Sequence, residues 1–151
     1  MKTLLIVYHS QSGTSAQLAF AACRGARREE AVAVRLLRAW DAGTRDLAAA
    51  DGLLLVAAEN SGALSGGMKD FLDRVFYPAI ARGLVLPSAL LLSAGNDGRG
   101  ARQQALRILS GIPFTQAAET MIRRGEFGAE HEQSAEELGE AFATGLQMGI
   151  F

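Results

Sequence analysis

Hydroxyl side chains cluster around a single glycine directly after the first apolar run of the chain. Residues 4–7 form that run, and Gly13 stands within the cluster. The hydroxyls are those of Ser10, Ser12, Thr14 and Ser15. The run predicts a strand that is covered on both faces, and a helix is predicted to follow from about Ser15. Because the first amides of a helix lack an intrahelical partner, the cluster predicts an anion site, and a phosphate monoester suits it best.

The composition of this loop narrows the kind of phosphate. A nucleoside triphosphate loop needs a lysine after its last glycine, whereas Gly13 is followed by Thr14. A dinucleotide fingerprint needs G-x-G-x-x-G, and this loop has one glycine. Neutral hydroxyls suit a small terminal phosphate held by neutral donors and a helix dipole. The alternative is that these residues only cap the helix, as Ser and Thr do in many proteins, and that Gln11 faces solvent.

Strand and helix patterns alternate along the whole chain. Strands are predicted at residues 4–7, 32–37, 53–57, 89–94 and 114–122, the last of which polar residues interrupt. Helices are predicted at about residues 15–24, 44–50, 67–82, 101–109 and 134–148. Alternating units of this kind predict a single α/β domain over residues 1–151, with an open parallel sheet and helices on both faces.

Three polar, glycine-containing loops follow predicted strands. They cover residues 10–15, 58–66 and 95–100. In open parallel sheets, ligands bind outside the carboxyl ends of the strands, at the point where the strand order reverses. We therefore expect the first loop to hold the phosphate and the other two to enclose a flat ring. This convergence favours binding over simple helix capping.

The composition of the chain limits the classes of function that it can have. The chain has 151 residues, 49% of them hydrophobic, and a formal net charge of −1. This charge argues against a basic nucleic-acid-binding protein and against an acidic electron carrier that docks by charge. No apolar run reaches the length of a membrane span, and the N-terminus lacks the pattern of a signal peptide. A single cysteine, Cys23, fits a cytoplasmic location.

The three loop segments together resemble the flavodoxin-like superfamily. More specifically, they resemble the FMN-binding flavodoxins and the NAD(P)H-dependent FMN or quinone reductases. Residues 10–14 are similar to the hydroxyl-rich phosphate loop of that group, and residues 93–98 to the loop after its fourth strand. Residues 59–74 carry the most specific likeness, because the glycines and the Lys69-x-Phe71-x-Asp73 pattern keep the spacing of the group.

This resemblance implies a three-layer sandwich whose five parallel strands have the order 2-1-3-4-5. It implies an FMN whose phosphate lies in the first loop and whose ring lies between the other two. The implied phosphate residues are Ser10, Gln11, Ser12, Gly13, Thr14 and Ser15. The implied flavin-edge residues are Glu59, Asn60, Ser61 and Gly62, together with Gly95, Asn96, Asp97 and Gly98. It further implies NADH or NADPH as the electron donor, a quinone, flavin or similar small acceptor, and a dimer or tetramer.

The chain departs from the resemblance in its third-strand loop. Many relatives have a proline and an aromatic residue before the glycine, where this chain has Ala58, Asn60 and Ser61. An aromatic that stacks on the ring is therefore missing from this loop. A protein that kept the fold but lost FMN stays open as an alternative for this reason. A flavodoxin-type carrier without enzymatic activity also stays open, because the length of the chain suits a short flavodoxin.

Acid–base and metal chemistry find little support in the sequence. No Ser–His–Asp set is evident, and Glu119, Glu130 and His131 do not form a convincing metal site. We therefore expect the cofactor to supply the chemistry, and we assign no catalytic residue. Arg99 and Arg102 flank the loop of residues 95–100 and are candidates for a dinucleotide phosphate, although a solvated helix end is the more ordinary role.

Overall fold

The computed structural model describes residues 1–151. Its strands are β1 (Lys2–Tyr8), β2 (Val32–Arg38), β3 (Gly52–Asn60), β4 (Ala63–Leu64), β5 (Pro87–Ala94), β6 (Thr115–Gln116) and β7 (Met121–Arg124). Its helices are α1 (Thr14–Ala26), α2 (Thr44–Ala48), α3 (Gly66–Ala81), α4 (Arg99–Gly111) and α5 (Ala129–Met148). A 3-10 turn, Ala39–Asp41, follows β2. None of the helices is both long and apolar enough to span a membrane.

The sheet has the predicted order of parallel strands. The path runs β2-β1-β3-β5-β6, and β7 also pairs with β5. The fourth position is therefore taken by β5, and the fifth is shared by β6 and β7, which confirms the order 2-1-3-4-5. Helices cover both faces: α1 and α5 pack on one, and α2, α3 and α4 pack on the other.

The fifth strand is not continuous, contrary to the prediction of one strand over residues 114–122. Pairing with β5 joins Ser88 to Gln116 and resumes at Leu91 with Met121. Four residues thus stand between the two pairs on the outer strand, whereas only two stand between them on β5. The amide of Ala117 still donates to the Ser88 carbonyl at 2.7 Å, so the excess residues bulge away from β5 within residues 118–120.

The third-strand loop is shorter than predicted. Instead of ending near residue 57, β3 continues to Asn60 and reverses as a hairpin into β4. The turn consists of Ser61 and Gly62, with φ values of +52° and +77°. Two successive residues with positive φ form the type I′ turn that matches the twist of a hairpin. The hairpin extends the sheet beyond its carboxyl edge.

Alternation along the central strands divides the core between the two faces. Leu5 and Val7 of β1 belong to the cluster under α2, α3 and α4, whereas Leu4 and Ile6 belong to the cluster under α1 and α5. All four are fully buried, as expected for a strand covered on both faces. Cys23 is buried in the second cluster. Packing on both faces therefore fixes the position of the central strands, and the loops at their carboxyl ends are anchored by them.

Candidate functional site

A cleft of about 380 Å³ opens where the loops after β1, β3 and β5 meet. Its walls combine hydroxyl groups with small side chains and two carboxylates. The lining residues are Ser12, Thr14, Ala58, Glu59, Asn60, Ser93, Ala94, Gly95, Gly125 and Glu126. The three loops selected from the sequence thus converge on one concave surface at the carboxyl edge of the sheet, which is where an open α/β sheet binds its ligands.

The structure brings only some of the predicted site residues to the cleft surface. Ser12, Thr14, Glu59, Asn60 and Gly95 line it. The other predicted residues lie in the same loops but not on the lining surface; they are Ser10, Gln11, Gly13, Ser15, Ser61, Gly62, Asn96, Asp97 and Gly98.

Helix α1 begins at the cleft without a side chain that caps it. Gly13 precedes the helix with a φ of +109°, and no side chain accepts a hydrogen bond from the first-turn amides. The Ser10 hydroxyl accepts instead from the amide of Gly13, at 3.1 Å, and so stabilises the loop itself. Hence the capping alternative does not account for these hydroxyls. The first amides of α1, with Ser12 and Thr14 beside them, remain available to an anion.

Ser15 has a different place from the other hydroxyls. It is almost fully buried, and its Oγ lies 2.8 Å from Oγ of Ser93, which is buried as well. This bond joins the first turn of α1 to the carboxyl end of β5. A role for Ser15 in phosphate binding therefore stays a prediction, while its hydroxyl stabilises the position of the helix end.

Glu59 connects two of the loops through its carboxylate. Its Oε1 accepts from the amide of Gly98 at 2.9 Å, and its Oε2 accepts from the amides of Gly100 and Ala101 at 3.1 and 3.2 Å. These amides belong to the beginning of α4, so Glu59 caps a helix that starts 40 residues later, at Arg99. The carboxylate is thereby stabilised by three donors and by the helix dipole.

The hairpin and α4 also approach each other closely. A Cβ atom on Gly100 would collide with the carbonyl oxygen of Gly62, so only glycine fits there. Nearby, the amide of Leu64 donates to Oε1 of Gln104 at 2.8 Å. The contacts hold the hairpin against α4 and fix one wall of the cleft before any ligand binds.

His9, directly after β1, packs against α3 and Trp40. Its Nδ1 lies 3.1 Å from Oγ of Ser65, and its ring packs so tightly on α3 that a Cβ atom on Gly67 would collide with it. Trp40 meets the same ring edge-to-face at a centroid distance of 5.6 Å, while 59% of Trp40 stays exposed. Burial lowers the pKa of His9, so the ring is held neutral at neutral pH.

Comparison with known proteins places the chain in a family. The model of the NADPH-dependent FMN reductase family matches residues 11–129, which is well over half of the chain. The chain belongs to this family. The matched region contains the β3–β4 hairpin, the loop after β5 and most of the first loop. A search of functionally curated proteins gives no match.

Solved structures share the fold of this FMN reductase family member over its full length. A flavodoxin from the domain Archaea superposes with a TM-score of 0.80 at 18% identity, covering 96% of this chain and 99% of the other. A WrbA-like protein from Agrobacterium tumefaciens gives 0.78 at 16% identity, covering 98% and 99%. Rubredoxin oxygen:oxidoreductase from Desulfovibrio gigas gives 0.84 at 12% identity, and this chain covers 37% of its length. At these identities the likeness shows the fold.

Four cleft residues lie outside the three predicted loops. Ser93 and Ala94 are the last residues of β5, directly before the third loop, and the other two lie elsewhere. Gly125 and Glu126 follow β7 and close the cleft on the side of the fifth strand position. The amide of Gly125 donates to the carbonyl of Ala94 at 2.9 Å, which joins this segment to the end of β5. A signal was present in the sequence, since a glycine after the fifth predicted strand should lie at the same sheet edge.

The charged residues near the site differ from those expected. Arg99 is paired with Asp97, with Nε of the arginine 2.7 Å from Oδ1 of the carboxylate. This pairing holds the pKa of Asp97 below its ordinary value. Arg102 lines a separate cavity beside Glu119. No group of three or more His, Cys, Asp or Glu side chains is close enough to hold a metal ion.

Proposed function

We propose that the protein binds FMN in this cleft and works as an oxidoreductase. The electron donor is NADH or NADPH, and the acceptor is a quinone, a free flavin or a similar small molecule. The proposal is supported by the family match and by one structural observation: the open N-terminus of α1 faces the cleft beside neutral hydroxyls. A cytoplasmic location, which rests on the single cysteine, and a dimer or tetramer, which rests on the resemblance, complete the proposal.

The donor set at the end of β1 fits the phosphate of FMN. A phosphate monoester carries up to two negative charges and several acceptor oxygens. The uncapped amides of α1 and the hydroxyls of Ser12 and Thr14 supply neutral donors, and the helix dipole favours negative charge at this position. Glu59, which also lines the cleft, has its charge partly offset by three amide donors at the N-terminus of α4. Its charge therefore opposes the phosphate less than a free carboxylate would.

The far part of the cleft fits a flat ring. Small residues, Ala58, Ala94 and Gly95, line it, and space is open where a Cβ atom on Gly95 would lie. Backbone amides and carbonyls are thus accessible to the polar edge of an isoalloxazine. No aromatic side chain lines the cleft. Hydrogen bonds from the backbone, rather than stacking, are proposed to hold the ring.

When bound, FMN would supply the redox chemistry, namely hydride transfer from a reduced nicotinamide and delivery of the electrons to the acceptor. The chain binds the phosphate through α1, positions the ring between the hairpin and the loop after β5, and keeps these walls in place through Glu59. No protein acid or base has to take part, which agrees with the absence of a catalytic set in the sequence.

The absorbance spectrum of the purified chain, titrated with FMN and then with NADH or NADPH without oxygen, tests the proposal. We expect flavin bands that shift on binding and bleach when the reduced nicotinamide is added. A chain that retains FMN but is not reduced by either nucleotide would instead be a carrier of the flavodoxin type. A chain that stays colourless with excess FMN would contradict both flavin functions.

A further inference from the structure

Two arginines beside the cleft have no carboxylate partner. Arg123 and Arg124 are the last residues of β7, and no ion pair of the structure includes either of them. Nε of Arg124 donates to the carbonyl of Asp97 at 2.8 Å, and Nη1 of Arg123 donates to the carbonyl of Ile122 at 2.9 Å. The other guanidinium N–H groups make no hydrogen bond within the chain, so most donors of both side chains are available to a ligand.

These arginines line a second groove, of about 470 Å³, between β7 and the first turns of α5. His131 lies in the same groove, where its Nε2 donates to the carbonyl of Arg124 at 2.8 Å. Because a carbonyl only accepts, Nε2 carries the hydrogen, and Nδ1 is the free ring nitrogen. Glu130 and Glu137 stand on the α5 side of the groove. The groove therefore has a basic wall on β7 and an acidic wall on α5.

The groove adjoins the cleft, because consecutive residues of one segment line the two. Gly125 and Glu126 follow Arg124 directly and line the cleft. The bond from Arg124 to Asp97 holds the guanidinium against the loop after β5, which forms another wall of the cleft. A molecule bound at the cleft can therefore extend a charged group into the adjoining groove between β7 and α5.

We propose that Arg123 and Arg124 bind a phosphate group of the nicotinamide dinucleotide, an inference that rests on the proposed electron donor. The planar fork of a guanidinium matches phosphate oxygens and binds them with charge-assisted hydrogen bonds. The candidates chosen from the sequence are less suitable, because Asp97 already neutralises Arg99, and Arg102 lines a different cavity. Glu130 and Glu137 repel a phosphate in the same groove and so limit its affinity.

Nucleotide titration of the full chain in the presence of saturating FMN tests this inference by calorimetry. The probes are ADP, which carries the diphosphate common to both donors, and adenosine 2′,5′-bisphosphate, which carries the 2′-phosphate specific to NADPH. For the probe that binds, we expect Arg123→Gln and Arg124→Gln each to raise Kd about 10-fold or more. Arg102→Gln is the matched control and should leave Kd unchanged. Glu130→Gln should lower Kd, because it removes a repelling charge.

The possible outcomes separate this inference from the proposed function. FMN retention, measured from the absorbance of the same samples, should be the same in the arginine variants as in the wild-type chain. If FMN is retained but neither probe binds, or if both arginine variants bind as tightly as wild type, the phosphate site is wrong while the flavin proposal stands. If Arg102→Gln alone weakens binding, the site lies beside α4 and the inference is likewise wrong.

Discussion

The Glu59 carboxylate accepts the amide of Gly98 at 2.9 Å, across 39 residues of sequence. With the bonds to Gly100 and Ala101, it occupies the N-terminus of α4, whereas the N-terminus of α1 has no side-chain partner. The two helix ends at this edge of the sheet are therefore different in kind. One is satisfied by the protein's own carboxylate, and the other is available to a ligand.

Replacing this carboxylate by an amide should destabilise the fold. Glu59→Gln keeps the shape but removes the charge that three amides and the helix dipole stabilise, and we expect the free energy of unfolding to fall by about 1–3 kcal/mol. Glu119→Gln is the matched control, because Glu119 is exposed and forms no ion pair, and it should change stability by less than about 0.5 kcal/mol. Urea denaturation measures both; equal stabilities for the two variants would contradict the role of Glu59.

Adjacent glycines at the start of α3 should respond in opposite ways to alanine. A Cβ atom on Gly67 would collide with the His9 ring, whereas a Cβ atom on Gly66 meets nothing within 4 Å. We expect Gly67→Ala to destabilise the protein by about 1–3 kcal/mol through overpacking, and Gly66→Ala to be neutral or slightly stabilising. Chemical denaturation gives both values. In a His9→Ala background, Gly67→Ala should lower the free energy of unfolding by less than it does in the wild-type chain, because the ring is no longer there. An equal loss in both backgrounds would show that the ring is not the obstacle.

Stability should decline in mild acid because of His9. Burial lowers the pKa of its folded state, so the unfolded chain binds a proton at a higher pH than the native protein does. The stabilising effect of neutral His9 is therefore present at neutral pH and decreases as the pH falls below the ordinary histidine pKa of about 6.5. Thermal denaturation should show a smaller loss of Tm between about pH 7.5 and 5.5 in His9→Gln than in wild type. An equal loss in both proteins would contradict this assignment.

Much of the architecture could be predicted because the central strands are continuous apolar runs. The cores of β1, β3 and β5 are covered on both faces, so residues 4–7, 53–57 and 89–94 carry a clear local signal. The order of the strands came from the resemblance rather than from these runs. The loops that follow the strands could then be placed at one edge, which located the cleft.

The details that were missed depend on contacts between distant residues. The Ser61–Gly62 turn lacks the Asn-Gly signature of a hairpin, and β4 is stabilised by α4 through Gln104. The bulge within residues 118–120 is set by the register with β5, which no local pattern encodes. Helix α5 begins at Ala129, whereas the prediction placed its start at Ser134. The prediction was late because the first turn is polar and shows no apolar periodicity. The capping of α4 by Glu59 could not be predicted either, because its partners lie 39 to 42 residues away. A flavin-edge role for Glu59 stays a prediction.

The affinity for FMN of two threonine variants tests the central claim most directly. Thr14 and Thr44 are both the first residue of a helix, but only Thr14 lines the cleft. Thr14→Glu introduces a negative charge where the phosphate is proposed to bind, so Kd for FMN, measured by quenching of flavin fluorescence, should rise about 10-fold or more, while Thr44→Glu should bind like wild type. Unchanged affinity in Thr14→Glu would contradict the account.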